Sequence, residues 1–416
     1  MESLPRRPEL EIQKVVLAAI RASTRSKDLN RGKQIHAAVA ASCDRLESRV
    51  ASSLIAMYSR CGSVIEARAV FDDMDSHDVV SWTAIILGYV QNGDARMALE
   101  LFERMLAQGV CDPDARVYVV AIKACAHLAT KEEAIDDLPG RMVKLRSLER
   151  GMALHSQLAR KNWDVNNVFV ASSLVTLYRK CGAMVDAWRV FKRTIARADA
   201  AMWNSLLLGY AENGEPQVTL DLLLAVGAPD RGTYAAALKA CSYLAAKEDA
   251  TKLDGFAVKL DALEKGMAVH SQAGKDGFKL DATLANTLID TYANCGGLVD
   301  AKRVFDRLPD RDTVSWTALI LGYAENGESK VALQLFETMQ QSGGCVSDHR
   351  VFIAAAKACT DLAEKAEAGE VDMKLALEIG MAIHSRAGKS ESVEAWSTLA
   401  GFLMEFLNIL WCSGMD

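Results

Sequence analysis

A chain of 416 residues with 50% hydrophobic and 25% charged residues has the make-up of a folded protein, and its 7 prolines leave room for long helices. A formal net charge of -6 excludes a generally polybasic chain, so any polyanion must meet a locally basic groove. No stretch approaches the roughly 18 consecutive apolar residues of a membrane span, and the ten cysteines contain no C-x-x-C pair, which argues against a disulfide framework or zinc ribbon.

The N-terminal stretch MESLPRRPELEIQKVVLAAIRAS lacks a secretory apolar core and carries several acidic residues before Ile12, so it also makes a poor transit peptide. It leaves two expectations open, a chain that is not imported into an organelle or an incomplete reading frame. AIRASTRSKDLN from Ala19, with GKQIHAA from Gly32, follows. Next come CGSVIEARAVFDDM from Cys61, DVVSWTAIILGYVQNGDARMALELFERM from Asp78, and AIKACAHLATKEEA from Ala121 with GMALHSQ from Gly151. The cycle then repeats: CGAMVDAWRVFKRT from Cys181, DAAMWNSLLLGYAENGEPQVTLDLLLAV from Asp199, ALKACSYLAAKEDA from Ala237 with GMAVHSQ from Gly266. It returns once more as CGGLVDAKRVFDRL from Cys295, DTVSWTALILGYAENGESKVALQLFETM from Asp312, and AAKACTDLAEKAEA from Ala355 with GMAIHSR from Gly380. Units recurring in fixed order have no private core and bury their apolar faces against neighbours.

Within a unit the apolar residues fall at helical spacing, as in Trp82, Ile85, Ile86 and Tyr89, then Ala98, Leu101, Phe102 and Met105. Asn92-Gly93, Asn213-Gly214 and Asn326-Gly327 supply left-handed residues that end the first helix, and Cys61-Gly62 does so in its own unit. Each unit is therefore predicted to be a helix-turn-helix hairpin of roughly 31 to 36 residues. The fold class is all-α, a solenoid of stacked hairpins. The third kind of unit is longer: Cys125 to His155, Cys241 to His270 and Cys359 to His384 stand farther apart than Ser23 and His36. These inserts are expected to lengthen the flanking helices beyond the stack as a solvated protruding hairpin.

At these residues the chain resembles the pentatricopeptide repeat proteins of land plants, in the subclass that alternates standard, long and short repeats. YSRCGSVIEARAVFDDM from Tyr58 is similar to the short repeat, DVVSWTAIILGYVQNGDARMALELFERM to the standard one, and KACAHLA with GMALHS to the long one. The resemblance implies a right-handed superhelix over 13–392 after a tail at 1–12. Its repeats are long 13–47, short 48–78, standard 79–114, long with insert 115–167, short 168–199, standard 200–230, long with insert 231–281, short 282–312, standard 313–348 and long with insert 349–392. Residues 393–416, with Ser397 and Leu399, form a partial, degenerate repeat without the terminal extension of many relatives. The standard repeat at 200–230 departs from the pattern in a second helix several residues short.

The resemblance further implies sequence-specific binding of single-stranded RNA, one base per repeat. The family's readers stand at the fifth and last positions of standard and short repeats. Here they pair Ser52 with Asp78, Thr83 with Asp114, Ser172 with Asp199, Asn204 with Asp230, Asn286 with Asp312, and Thr317 with Asp348. Hydroxyls, amides and carboxylates suit base edges, because between them they donate and accept. Val80, Val314, Arg49 and Phe169 occupy the second positions, which sandwich the base. In the long repeats the fifth positions, Leu17, Val119, Ala235 and Ile353, offer no hydrogen bond, so these repeats are expected to space the readers. In family terms a hydroxyl with Asp favours G and Asn with Asp favours U, which gives G, G, any, G, U, any, U, G from the 5′ end. The role implied is an adaptor in organelle RNA modification or processing, with cytidine-to-uridine editing-site recognition foremost. A mitochondrial or chloroplast location and a deaminase or editing factor in trans go with it.

Plainer readings stand beside these. Trp82, Trp203 and Trp316 open apolar stripes and are expected in the core. Cys125, Cys241 and Cys359, with His155, His270 and His384, recur three units apart and cannot converge on one ion, so no metal site is expected. The reader aspartates are also placed to cap the next hairpin's first helix. The H-x-E and P-C-x-x-C of a zinc deaminase are absent, as are a phosphate loop and a nucleophile elbow, so neither catalysis nor a cofactor is expected. A tetratricopeptide-like protein-binding scaffold and a truncated, non-functional fragment remain as alternatives.

Overall fold

The computed structural model describes residues 7–42, 46–109, 111–138, 141–253, 256–342, 349–367 and 381. The chain divides into two compact units, Met1–Gly209 and Tyr210–Asp416. Among the described residues no helix is long and apolar enough to cross a membrane.

The first unit runs α1 (Arg7–Ser26), α2 (Leu29–Ser42), α3 (Ser48–Arg60), α4 (Val64–Asp72), α5 (Val79–Gln91), α6 (Ala95–Gln108) and α7 (Ala115–Lys131). A hairpin of β1 (Ile135–Leu138) and β2 (Arg141–Val143) follows, then α8 (Leu145–Arg160), α9 (Trp163–Asn166), α10 (Val168–Cys181), α11 (Met184–Thr194) and α12 (Ala200–Glu212), inside which the division falls. Helix α3 packs on α4 of its own hairpin and on α5 of the next, α5 on α6 and α7, and α7 on α10. The first helices thus form a continuous row, with the second helices behind it. The result is the helical solenoid expected of units that lack private cores.

The second unit contains α13 (Pro216–Leu223), α14 (Arg231–Ala245), β3 (Thr251–Leu253), β4 (Phe256–Val258), α15 (Leu260–Lys275), α16 (Ala282–Asn294), α17 (Leu298–Asp306), α18 (Thr313–Glu325), α19 (Ser329–Ser342) and α20 (His349–Glu367). Its first helices α14, α16, α18 and α20 again pack in sequence. Helix α13 has 8 residues where α6 and α19 each have 14.

Repeated residues make repeated joints. Trp82 is 1% exposed and meets Phe71 edge-on at 4.8 Å; Trp203 meets Phe191 at 4.5 Å and Trp316 meets Phe305 at 4.7 Å, so the tryptophans hold each standard hairpin to the short one before it. Gly93, at φ 83, turns the chain, and Asn92 before it donates from Nδ2 to the Ser59 carbonyl at 2.9 Å. Asn326 reaches the equivalent Ala293 carbonyl at 2.9 Å. Lys131 donates to the Gly93 carbonyl at 3.1 Å and Lys247 to that of Gly214 at 2.7 Å, and Lys365 does the same to Gly327. Each long repeat therefore closes the turn of the standard repeat before it.

The inserts of 115–167 and 231–281 form strand pairs instead of carrying their flanking helices beyond the stack. Helix α7 stops at Lys131 because Glu132 turns to an extended conformation, and its carboxylate accepts from the Arg146 and Ser147 amides at 2.8 and 3.0 Å, capping α8. Glu248 caps α15 likewise through the Asp261 and Ala262 amides, both at 2.9 Å. Between each cap and its helix end lies an antiparallel hairpin, pairing Ile135 with Val143 and Thr251 with Val258. Val143 and Val258 are buried, and the Lys144 and Lys259 amides donate to the Cys181 and Cys295 carbonyls at 3.1 and 3.0 Å. The expected protrusion is thus a strand pair docked on the next hairpin's turn. The insert of 349–392 lies outside the described residues.

Candidate nucleic-acid interface

Along the first-helix rows the fifth residue of one helix stands beside the N-cap of the next, as Ser52 and Thr83 do with Asp78 and Asp114 in the first unit and Asn286 with Asp312 in the second. The aspartates reach this place because they cap: the Oδ1 of Asp78 accepts from the Ser81 amide at 2.7 Å, that of Asp114 from the Arg116 and Val117 amides at 2.9 and 3.0 Å, and that of Asp199 from the Met202 amide at 2.8 Å. In the second unit Asp230 accepts from the Thr233 amide and Asp312 from the Ser315 amide, both at 2.8 Å and both through Oδ1. The plainer role is therefore a fact of the fold, and every cap falls on the same oxygen. Asp78 Oδ2 accepts from Ser48 Oγ at 2.8 Å. Burial opposes the charge on Asp78, but the bonds from Ser81, Ser48 and Val80 outweigh it and hold the carboxyl below its ordinary range.

The fifth-position side chains differ in what they offer. Ser52 is only 5% exposed, and its Oγ has no hydrogen-bond partner among the described residues. Thr83 and Thr317 are half-buried and turn their hydroxyls onto the Val79 and Thr313 carbonyls at 2.5 and 2.7 Å, leaving oxygen lone pairs for an incoming donor. Ser172 is half-buried on α10, as is Asn204 on α12. Asn204 belongs to the first unit and Asp230 to the second. Asn286 donates from Nδ2 to Asp312 Oδ1 at 3.5 Å, while its own Oδ1 is buried without a partner among the described residues. Asp348 lies outside the described residues. The second-position residues stand free of the core: Val80 is 62% exposed, Val314 51% and Phe169 76%, and Arg49 is also exposed.

One cleft of about 440 Å³ in the first unit gathers two of the expected pairs, Ser52 with Asp78 and Thr83 with Asp114, together with Arg49 and Val80. Its walls also include Leu17, Arg21 and Arg116. The two arginines belong to long repeats, where sequence reasoning assigned only spacing. The signal was present: Arg21, Lys123, Lys239 and Lys357 all stand ninth in their long repeats.

The recurring cysteines pack. Burial pushes the thiols of Cys125, Cys241 and Cys359 up to about 12, which suits inert core residues. The histidines are tied as well, with Nδ1 of His36, His155 and His270 within 2.9, 2.7 and 2.8 Å of the hydroxyls of Tyr58, Tyr178 and Tyr292. His384 lies outside the described residues.

The description "PPR repeat family" matches residues 77–127, and "PPR repeat" matches 50–79, 284–312 and 314–344. A pentatricopeptide repeat-containing protein of Arabidopsis thaliana is 32% identical over 315 residues, covering 75% of this chain and 38% of the relative. A chloroplastic one from the same plant is 31% identical over 351 residues, 83% of this chain and 51% of the relative, and a mitochondrial one is 35% identical over 321 residues, 76% and 45%. The chain thus spans about half or less of these relatives' length. Among solved structures, the pentatricopeptide repeat protein PPR10 in complex with an 18-nt psaJ RNA element superposes with a TM-score of 0.59 at 18% identity, covering 83% of this chain and 48% of that one. PPR10 from maize gives 0.56 at 15% identity, over 95% and 57%.

Proposed function

Because this chain belongs to the pentatricopeptide repeat family, we propose that it is a sequence-specific adaptor for single-stranded RNA, reading one base per standard or short repeat. The observation that carries this reading is the cleft of the first unit, lined twice over by a fifth-position residue and the carboxylate-bearing cap of the next helix, Ser52 with Asp78 and Thr83 with Asp114, beside Arg49 and Val80. PPR10, which shares the fold, was solved with a bound RNA.

The chemistry is positional. Each cap fixes a carboxylate before any ligand arrives, so the cost of ordering the polar groups is met by the fold rather than by binding. A base whose edge donates and accepts in the right places completes these bonds, and a wrong base leaves buried groups unpaired. The chain holds no catalytic role in this reading. It selects a transcript site in organelle RNA processing, in particular cytidine-to-uridine editing, and a deaminase acting there comes from a partner protein. Chloroplastic and mitochondrial relatives support the organelle.

Titration of the purified chain with the octamer G, G, any, G, U, any, U, G and with its scrambled counterpart, each at two salt concentrations, tests the proposal. Preference for the octamer is the expected result. Equal or absent binding would favour a protein-binding scaffold.

A further inference from the structure

The long repeats hold nothing at their fifth positions for a base, yet in the first unit the same helical faces carry exposed cations. Arg21 and Arg116 line the cleft that contains Ser52 and Thr83, and Lys123 lies two turns along α7 from Arg116 on the same face. Among the described residues none of these three is in an ion pair. The counterparts of Lys123 in the second unit are neutralised: Lys239 pairs with Glu212 at 3.5 Å and Lys357 with Glu325 at 2.8 Å. The cause is one residue per repeat. Glu212 and Glu325 precede the Asn-Gly turns of their standard repeats, whereas Gln91 occupies that place in the first unit and offers Lys123 no charge.

We infer that the long repeats of the first unit are phosphate clamps, in which Arg21, Arg116 and Lys123 hold the phosphodiester backbone of a single-stranded RNA while neighbouring repeats read its bases. The inference rests on the proposed RNA-binding function and divides its labour. Cations on phosphates set affinity and position without carrying sequence information. A chain of net charge -6 thereby concentrates its grip in one unit, while in the second unit internal pairs hold the counterparts of Lys123.

The test is the salt dependence of RNA binding by the full chain, measured by anisotropy with the octamer and its scrambled counterpart. Each phosphate contact removed lowers the slope of log affinity against log salt by about 0.7 for a single strand. The triple variant Arg21→Gln, Arg116→Gln, Lys123→Gln is expected to lose about 2 from the slope on both RNAs, with base preference unchanged. Gln91→Glu, which introduces the residue that the other two standard repeats carry, should lower the slope by about 0.7, and Glu325→Gln should raise it by about as much. Unchanged slopes in the triple variant and in Gln91→Glu, with the parent chain still binding, overturn the clamp and leave the reading function standing. Absence of single-stranded RNA binding by the parent chain overturns both.

Discussion

Asn286 donates through its side-chain amide to Oδ1 of Asp312 at 3.5 Å, joining the fifth residue of one first helix to the N-cap of the next. The same oxygen accepts from the Ser315 amide at 2.8 Å, so folding of α18 sets the carboxylate's position and orientation beside the amide. Replacing the amide by a hydroxyl leaves the cap untouched and changes what the pair presents. Asn286→Thr is expected to shift the seventh base of the octamer from U toward G, by about 1 to 3 kcal/mol of discrimination. Competition between octamers differing only at that base measures it, and an unchanged preference removes the pair from the recognition code.

Capping and reading separate at Asp78. Asn caps a helix about as well as Asp, whereas Ala costs about 1 kcal/mol. Asp78→Asn should therefore keep the midpoint of urea unfolding while altering recognition at the first base, and Asp78→Ala should lose both. Because the Asp78 carboxyl is held below its ordinary range, the stability it contributes is complete above the unfolded value and fades as pH falls through the folded one. The acid limb of an unfolding-versus-pH curve should accordingly be shallower in Asp78→Asn.

At Gly322 the first helices of two hairpins approach so closely that a Cβ would lie 2.5 Å from the Ala293 Cβ, with backbone rather than a flexible side chain behind it. Gly322→Ala should destabilise the second unit by about 1 to 3 kcal/mol through overpacking. Denaturant unfolding reads this directly, and an unchanged midpoint would show that α16 and α18 separate without penalty.

Burial holds His36 and His270 below their ordinary 6.5. As pH falls, the unfolded chain takes up these protons first, so stability is level above that value and declines below it as pH drops through the folded values. Thermal midpoints should fall between about pH 7 and pH 5. The double variant His36→Gln, His270→Gln should flatten this fall, and a fall of unchanged depth would assign it to other groups.

The array was legible in the sequence because its signals are local and repeated: the Trp82 stripe, the Asn92-Gly93 turn and the apolar spacing of α5 and α6 need only neighbouring residues to be read. The caps were legible too, since Asp78 and Asp312 precede helical stripes. The strand pairs of the inserts are faint in the sequence: Pro139-Gly140 and Asp254-Gly255 each sit between short β-prone runs, but those runs are only three or four residues long and mixed with charges. The burial of Ser52 was not legible, since it depends on how closely neighbouring helices approach. The pairing of Lys239 with Glu212, against a Lys123 without an ion pair among the described residues, depends on a single glutamate-to-glutamine difference 27 to 32 residues away, which only the folded stack places within reach.

The docked strand pairs have a consequence for how such arrays change over time. Because β1–β2 and β3–β4 leave between a cap and a helix end and return against the following turn, residues can be added there while α7 still packs on α10 and α14 on α16. The ladder of first helices keeps its step whatever is spliced between them. In the proposed reading, phase along a bound strand is counted in helices rather than in residues, and chain length in the long repeats is free to drift without rewriting the message.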